Sequence, residues 1–478
     1  MSLYVPRVYQ PPITDFIVDH ERCNVFARMG SGKTPASLEA FAILRMFGEA
    51  KRLCVVGPKR VAQSVWREAV NKDFQESFGH LTIAAAVGTP EQRKKAVMSR
   101  PDILCVNYES VEWLIDGYGE HWPFDMVIAD ESGRLKGLRI GMRVSSKGKE
   151  YLQGQGSVRA KALAQIAHRK VRRWVNLNGS PASNGVIDIW GQQHFVDGGS
   201  ALGTSFTAFE QRFFRTFRNS DGYTGWEPLP SAQKQIENLI RPTSITIDPR
   251  KDLGVKDTIE SNVYITLPPA ARKAYDAMEK ELFADLKNGI HIEAFNNGSK
   301  ANKCLQLANG AVYHDTETKA WVTTHDEKIE ALKSVVSEAN GEPVLVRYCF
   351  IPDRERILKA FAGFRFLDNN PQTIEDWNKG RIPGLVTHAA SAGHGLNLQH
   401  GGRILCDYSS HYNLGEDEQI VERLGGTRQV QSGYDRDVYR YRLIARDTIE
   451  EYSVLPRLIE KMSVQDSLLL ALDRRRTA

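Results

Sequence analysis

The segment Ala27-Arg28-Met29-Gly30-Ser31-Gly32-Lys33-Thr34 has the residue types of a phosphate-binding loop. It follows the apolar run NVFA and opens a helix-like stretch, PASLEAFAILRMF, which is the strand–loop–helix setting such a loop requires. Glycines let backbone N–H groups converge on phosphate where a side chain would block them. The helix N-terminus adds partial positive charge. Met29, Gly30, Ser31, Gly32, Lys33 and Thr34 would then cradle the phosphates of ATP. Lys33 would reach the terminal phosphates and the Thr34 hydroxyl would hold Mg²⁺.

A phosphate loop needs a carboxylate on a neighbouring strand. The apolar run in FDMVIADESG ends in Asp130-Glu131. Asp130 would bind Mg²⁺, and Glu131 would orient and deprotonate the attacking water. Two carboxylates and a lysine around one metal–phosphate cluster make a hydrolase arrangement.

These residues need strands and helices to hold them. NVFA, RLCVVG, DILCVNY, DMVIAD and RRWVNLNG each read as buried strands, separated by helical candidates such as VAQSVWREAV and RAKALAQIAHRKV. The alternation marks an α/β fold with a mostly parallel sheet. It lapses over about 198–309, where aromatic and amphipathic pieces suggest helical insertions. It resumes in PVLVRYCF, GLVTHAA, RILCDYS and DVYRYRLIA. The chain therefore divides into two α/β lobes, 1–250 and 251–478, and its 478 residues exceed one hydrophobic core. The aromatic run Phe206, Phe209, Phe213, Phe214, Phe217 has helical spacing and reads as core in preference to a base-stacking face.

Apolar content of 41% and charged content of 25% are those of an ordinary globular protein. The net charge of +5 permits a nucleic-acid partner without arguing for one. Six cysteines stand singly with no CxxC pair, which speaks against zinc and disulfide frameworks and for a reducing cytoplasm. The N-terminus lacks a signal pattern, and no apolar run approaches the ~18 residues of a membrane span.

The order of motifs resembles superfamily 2 helicases, and more closely the Swi/Snf-type translocases, above all the compact members encoded by bacteriophages. VYQPP is similar to the glutamine motif, VVGPKRVAQSVWREAV to motif Ia and DESGRLKG to motif II. NLNGSPASNG is similar to the Thr-Gly-Thr-Pro-x-x-Asn of motif III, SAGHGLNLQ to motif V and YNLGEDEQIVERLGGTRQ to motif VI. The resemblance implies two RecA-like lobes, ATP and Mg²⁺ as cofactors, and movement along DNA, duplex in preference to single-stranded. It implies a role in phage replication or recombination beside phage replication proteins. A strand-separating helicase on DNA or RNA, and a nucleic-acid clamp with slow turnover, stay open as alternatives. By the same resemblance Gln10 would read adenine, Gly395 would face the nucleotide, and Arg423 would be an arginine finger. Two departures stand out. Gly133 occupies the place of the motif II His, and Gly426 that of the second motif VI Arg. Gly425 and Gly426 would break the helix and let Arg428 substitute.

Charge is uneven along the chain. From Arg134 to Arg173 basic residues outnumber acids heavily, and SSKGKEYLQGQGS reads as a basic loop suited to phosphate contact. Lys136, Lys147, Lys149 and Arg159 are candidate nucleic-acid contacts. Lys59, Ser180, Ser391 and Asn397 join them through the motif resemblance. His394 reads equally well as a packing residue.

Overall fold

The computed structural model describes residues 3–144, 150–218, 224–281, 283–285, 291–293, 297–315, 317–368, 370–388 and 396–471. The chain forms two compact units, one of residues 1–252 with 461–478 and one of residues 253–460.

In the first unit, helix α1 (Pro11–Asp19) precedes strand β1 (Arg22–Ala27), and helix α2 (Lys33–Met46) follows it. Then come β2 (Leu53–Gly57), β3 (Ile83–Ala86), β4 (Ile103–Asn107) and β5 (Met126–Asp130). Helix α3 (Val158–Ala167), β6 (Arg173–Asn178), helix α4 (Ile189–Asp197) and β7 (Ser244–Ile247) complete the core. The sheet order is β7-β1-β6-β5-β2-β4-β3, and every pairing is parallel. Strands β1, β2, β4, β5 and β6 are almost wholly buried. That explains why they read as continuous apolar runs rather than alternations.

The second unit is a six-stranded parallel sheet. Its strands are β8 (Ile259–Ile265), β9 (Val344–Tyr348), β10 (Arg365–Phe366), β11 (Gly384–His388), β12 (Ile404–Asp407) and β13 (Tyr439–Ala445), in the order β8-β13-β12-β9-β11-β10. Strand alternation sorts its core into two layers. Val344, Val346, Val386 and Cys406 face one side; Leu345, Leu385 and Leu405 face the other. Helix α5 (Leu414–Leu424) packs on the second layer through Ile420 and Leu424 and is followed by α6 (Gly426–Gln431). The last helix, α7 (Leu455–Ala471), ends the described chain. Each unit is a lobe of parallel strands flanked by helices.

Three sequence expectations change. The stretch 198–309 is not purely helical. It holds the edge strands β7 and β8 and two short hairpins as well as the helices Phe206–Phe213, Ala232–Ile240, Pro269–Glu281 and Asn297–Asn309. Strand β8 is largely exposed, so its sequence IESNVYI carries no apolar run to betray it. The chain end, given to the second lobe, belongs to the first from Lys461 onward. Leu468 and Leu469 are buried in the first unit's core, and Thr246 Oγ1 donates to Leu469 O at 3.0 Å. Finally, Phe206, Phe209, Phe213 and Phe214 are core, whereas Phe217 is exposed.

Among the described residues no helix is long and apolar enough to cross a membrane. None of the six cysteines, all among the described residues, is in a disulfide; five are buried and Cys349 is half-buried.

Candidate nucleotide site and its couplings

The phosphate loop leaves β1 after Ala27 and enters α2 at Lys33. Gly30 and Gly32 turn with φ of 77° and 71°, a left-handed conformation that favours glycine. Gly32 has a second constraint, because a Cβ there would lie 1.8 Å from Gln10 Nε2. Gln10 is buried; its Nε2 donates to Ser31 O at 3.3 Å and its Oε1 accepts from Arg7 N at 2.8 Å. The structure thus sets Gln10 under the loop as a support, with its amide engaged there rather than presented for a base edge. Met29 lies behind the loop, with its Cγ 3.5 Å from where a Gly179 Cβ would stand. Lys33 Nζ donates to Ala27 O at 2.7 Å, and Thr34 is half-buried at the helix start. Arg28 pairs with Asp248 at 3.3 Å and with Asp466 of α7, so the C-terminal helix bears directly on the loop.

Asp130 ends β5, two strands from β1. Its Oδ2 accepts from the buried indole Nε1 of Trp66 at 2.9 Å. Burial first, then the neighbouring Glu131, push its pKa up to about 6, against the Trp66 hydrogen bond and the charge of Lys33. Lys33 and Asp130 therefore sense each other electrostatically, and the loop and the carboxylate strand converge. Glu131 is half-buried with φ of 57°, a left-handed backbone unusual for a residue with a side chain. Tyr108 holds this turn by donating to Asp130 O at 3.0 Å.

The donor set fits Mg-ATP. A loop with no room for a Cβ, a buried Ser31 hydroxyl lacking a hydrogen-bond partner among the described residues, a lysine and a paired Asp-Glu all meet at one end of the parallel sheet. Thr34 and Asp130 would hold Mg²⁺, which would neutralise charge on the phosphates.

Motif III follows β6. Ser180 N donates to Asn178 Oδ1 at 3.0 Å. Lys136, expected on nucleic acid, is instead an internal brace: its Nζ donates to Ser183 Oγ at 2.7 Å and pairs with the buried Asp188 at 3.1 Å. A cation near a buried carboxylate is drawn to it, since an unpaired buried charge is costly. Arg159 stands over the Tyr108 ring and 3.7 Å from Glu109. Lys59 is exposed just beyond the end of β2. Lys147, Lys149, Ser391, His394 and Gly395 lie outside the described residues.

In the second unit the helix break at the glycine pair is present. α5 stops at Leu424, Gly425 is extended, and α6 starts at Gly426. A Cβ on Gly426 would meet Val255 Cγ1 at 2.5 Å and Lys256 O at 2.9 Å, so the chain passing alongside leaves no space for an arginine there. Arg423 is buried and its Nη1 donates to Leu396 O at 3.2 Å. Arg428 Nη1 donates to the exposed Asn397 Oδ1 at 2.7 Å. The break brings both arginines onto the motif V segment. Six residues before Arg423, Asp417 anchors α5. Against the cost of burial, Arg440 and Arg347 hold its carboxyl far below the usual range. Arg347 Nη1 reaches it at 2.6 Å, and Arg440 Nε binds Asp407 at 2.7 Å.

Sequence reasoning missed Trp66, Asn178, Gln192 and the Arg28–Asp248–Asp466 cluster. Asn24, Asn176 and Asn178 inside otherwise apolar strand runs were the available signal, since buried amides demand partners.

No family model matches the chain. It is 41% identical over 478 residues to "Putative protein p41" of Acyrthosiphon pisum secondary endosymbiont phage 1, covering 99% of this chain and 100% of that protein. It is 21% identical over 476 residues to an uncharacterized ATP-dependent helicase of Mycoplasma genitalium, covering 92% of this chain and only 40% of that relative's length. The Sulfolobus solfataricus SWI2/SNF2 ATPase core, solved in complex with dsDNA, aligns at 18% identity and a TM-score of 0.42, over 98% of this chain and 96% of that one. Identity of this degree over both full lengths shows that the chain belongs to the family of the phage protein p41.

Proposed function

We propose that the chain is an ATP-driven motor that moves along DNA, duplex in preference to single-stranded, and serves phage DNA replication or recombination. The observation that carries this reading is the placement of the Lys33 loop, which leaves β1, and of Asp130-Glu131, at the end of β5, at the same end of one parallel sheet. In this reading the loop binds the phosphates of ATP, Thr34 and Asp130 hold the metal, and Glu131 takes a proton from the attacking water. Arg423 and Arg428 are the second unit's contribution to hydrolysis. Loss of the γ-phosphate changes what both units can grip, and repeated cycles become steps. Lys59, Ser180, Ser391, Asn397 and the basic residues Lys147, Lys149 and Arg159 are the proposed contacts to the DNA backbone.

A clamp or switch with slow turnover is a second reading. It draws on the hydrogen bonds that tie Arg423 and Arg428 to Leu396 and Asn397, which must be exchanged before either guanidinium acts on ATP. ATP turnover measured without nucleic acid and with single-stranded DNA, duplex DNA and RNA separates the readings. Displacement of a triplex-forming strand from duplex DNA, with no unwinding of that duplex, is the result expected of a translocase. Slow turnover on every nucleic acid, with no displacement, supports the clamp.

A further inference from the structure

Gln192 uses its whole side-chain amide. Its Oε1 accepts from Ser132 Oγ at 3.0 Å and from Asn178 Nδ2 at 2.7 Å. Its Nε2 donates to Pro181 O at 2.8 Å and to Asp188 O at 3.2 Å. A primary amide has two acceptor sites and two N–H donors, so the group is saturated. Gln192, Ser132 and Asn178 are all buried. In so dry a setting each bond matters more than at a surface, and each group left unpaired is costly.

Three of the four partners belong to two different pieces of machinery, and the fourth, Asp188 O, lies one turn back at the start of Gln192's own helix. Ser132 directly follows Glu131, whose left-handed backbone persists only where the surroundings over-determine it. Asn178, Ser180 and Pro181 form the motif III turn. The connection therefore runs from Glu131 through Ser132, Gln192 and Asn178 to Ser180 N, which Asn178 Oδ1 caps at 3.0 Å. Two glycines make room for it. A Cβ on Gly133 would lie 3.1 Å from Asn178 Nδ2, crowding the amide that reaches Gln192. A Cβ on Gly191 would lie 2.7 Å from Leu135 O and 2.9 Å from Lys136 O, so only glycine lets α4 press this close to the motif II backbone.

We propose that Gln192 is a positioning residue that makes the Glu131 turn and the motif III turn move as one body, carrying the nucleotide state to Ser180. The significance of that signal for DNA rests on the function proposed above, but the mechanical link does not. The test is amide hydrogen exchange with and without a non-hydrolysable Mg-ATP analogue, in the wild type and in Gln192→Leu, which keeps the volume and removes all four bonds. Ser132→Ala is the milder second variant, cutting a single bond. In the wild type the analogue slows exchange both in residues 28–34 and in residues 178–184. In the variants protection persists at 28–34 and is lost at 178–184, with a parallel fall in the ratio of DNA-stimulated to basal turnover of about tenfold for Gln192→Leu. Protection of 178–184 that is absent in the wild type, or unchanged in both variants, overturns the proposal. A wild type whose turnover ignores DNA while its exchange behaves as described contradicts the DNA reading and leaves the Gln192 link supported.

Discussion

Asp130 shows how the site sets function against stability. Its carboxylate is buried at the end of a parallel strand, where its charge meets the Trp66 indole N–H, the pull of Lys33 and the backbone N–H of Glu131. Burial and Glu131 raise its pKa from the ordinary 3.8 to about 6. A carboxyl with a raised folded-state pKa favours the folded protein below its unfolded value and opposes folding progressively as pH rises through the folded value. Asp130→Asn should therefore stabilise the metal-free protein above pH 6 by ~1–3 kcal/mol. The gain should shrink as pH falls and vanish below about pH 4. The same variant should lose ATP hydrolysis at every pH, because the metal loses its ligand. Denaturant unfolding of both proteins in chelator across this pH range checks the sign; a variant less stable than the wild type at pH 7.5 would refute it.

At the scale of elements, the break between α5 and α6 settles where the motif VI arginines go. It has a steric origin in Gly426, which faces Val255 and Lys256 O without space for a methyl group. Gly426→Ala should cost about 1–3 kcal/mol of stability through overpacking. It should also loosen the Arg428–Asn397 contact, lowering turnover together with the melting temperature. A neutral effect on both would mean that the segment at 255–256 yields freely. The break was legible in the sequence because two glycines interrupt a helical pattern. Its cause was not, since it depends on a chain segment about 170 residues away. Legibility followed burial in the same way elsewhere. β1, β2, β4, β5 and β6 announced themselves as apolar runs because both faces of the sheet are covered. The edge strands β7 and β8 escaped notice, one for its shortness and one for its polar exposed face. The phosphate loop and Asp130-Glu131 are local patterns and could be read directly. Trp66 and Gln192 act across the fold, and nothing in their neighbours along the chain names Asp130 or Ser132 as partners.

On the scale of the whole molecule, the last helix among the described residues belongs, from Lys461 onward, to the unit that carries the Ala27–Thr34 loop. Leu468 is fully buried in that unit's core, and Asp466 on the same helix pairs with Arg28 of the phosphate loop. Leu468→Ala should cost ~2–5 kcal/mol, the range for truncating a buried leucine. Thermal unfolding would report it, and an unchanged transition would show that the helix contributes nothing to the first unit. The loop, Asp130 and Glu131 are proposed to form an ATPase driven by DNA. The most direct measurement is ATP turnover of the wild type and Glu131→Gln, each with and without duplex DNA at fixed salt. Duplex DNA should raise wild-type turnover well above its level without nucleic acid. The Gln variant should bind ATP yet turn it over in neither condition. Wild-type turnover indifferent to DNA, or a Gln variant that hydrolyses ATP as the wild type does, would contradict it.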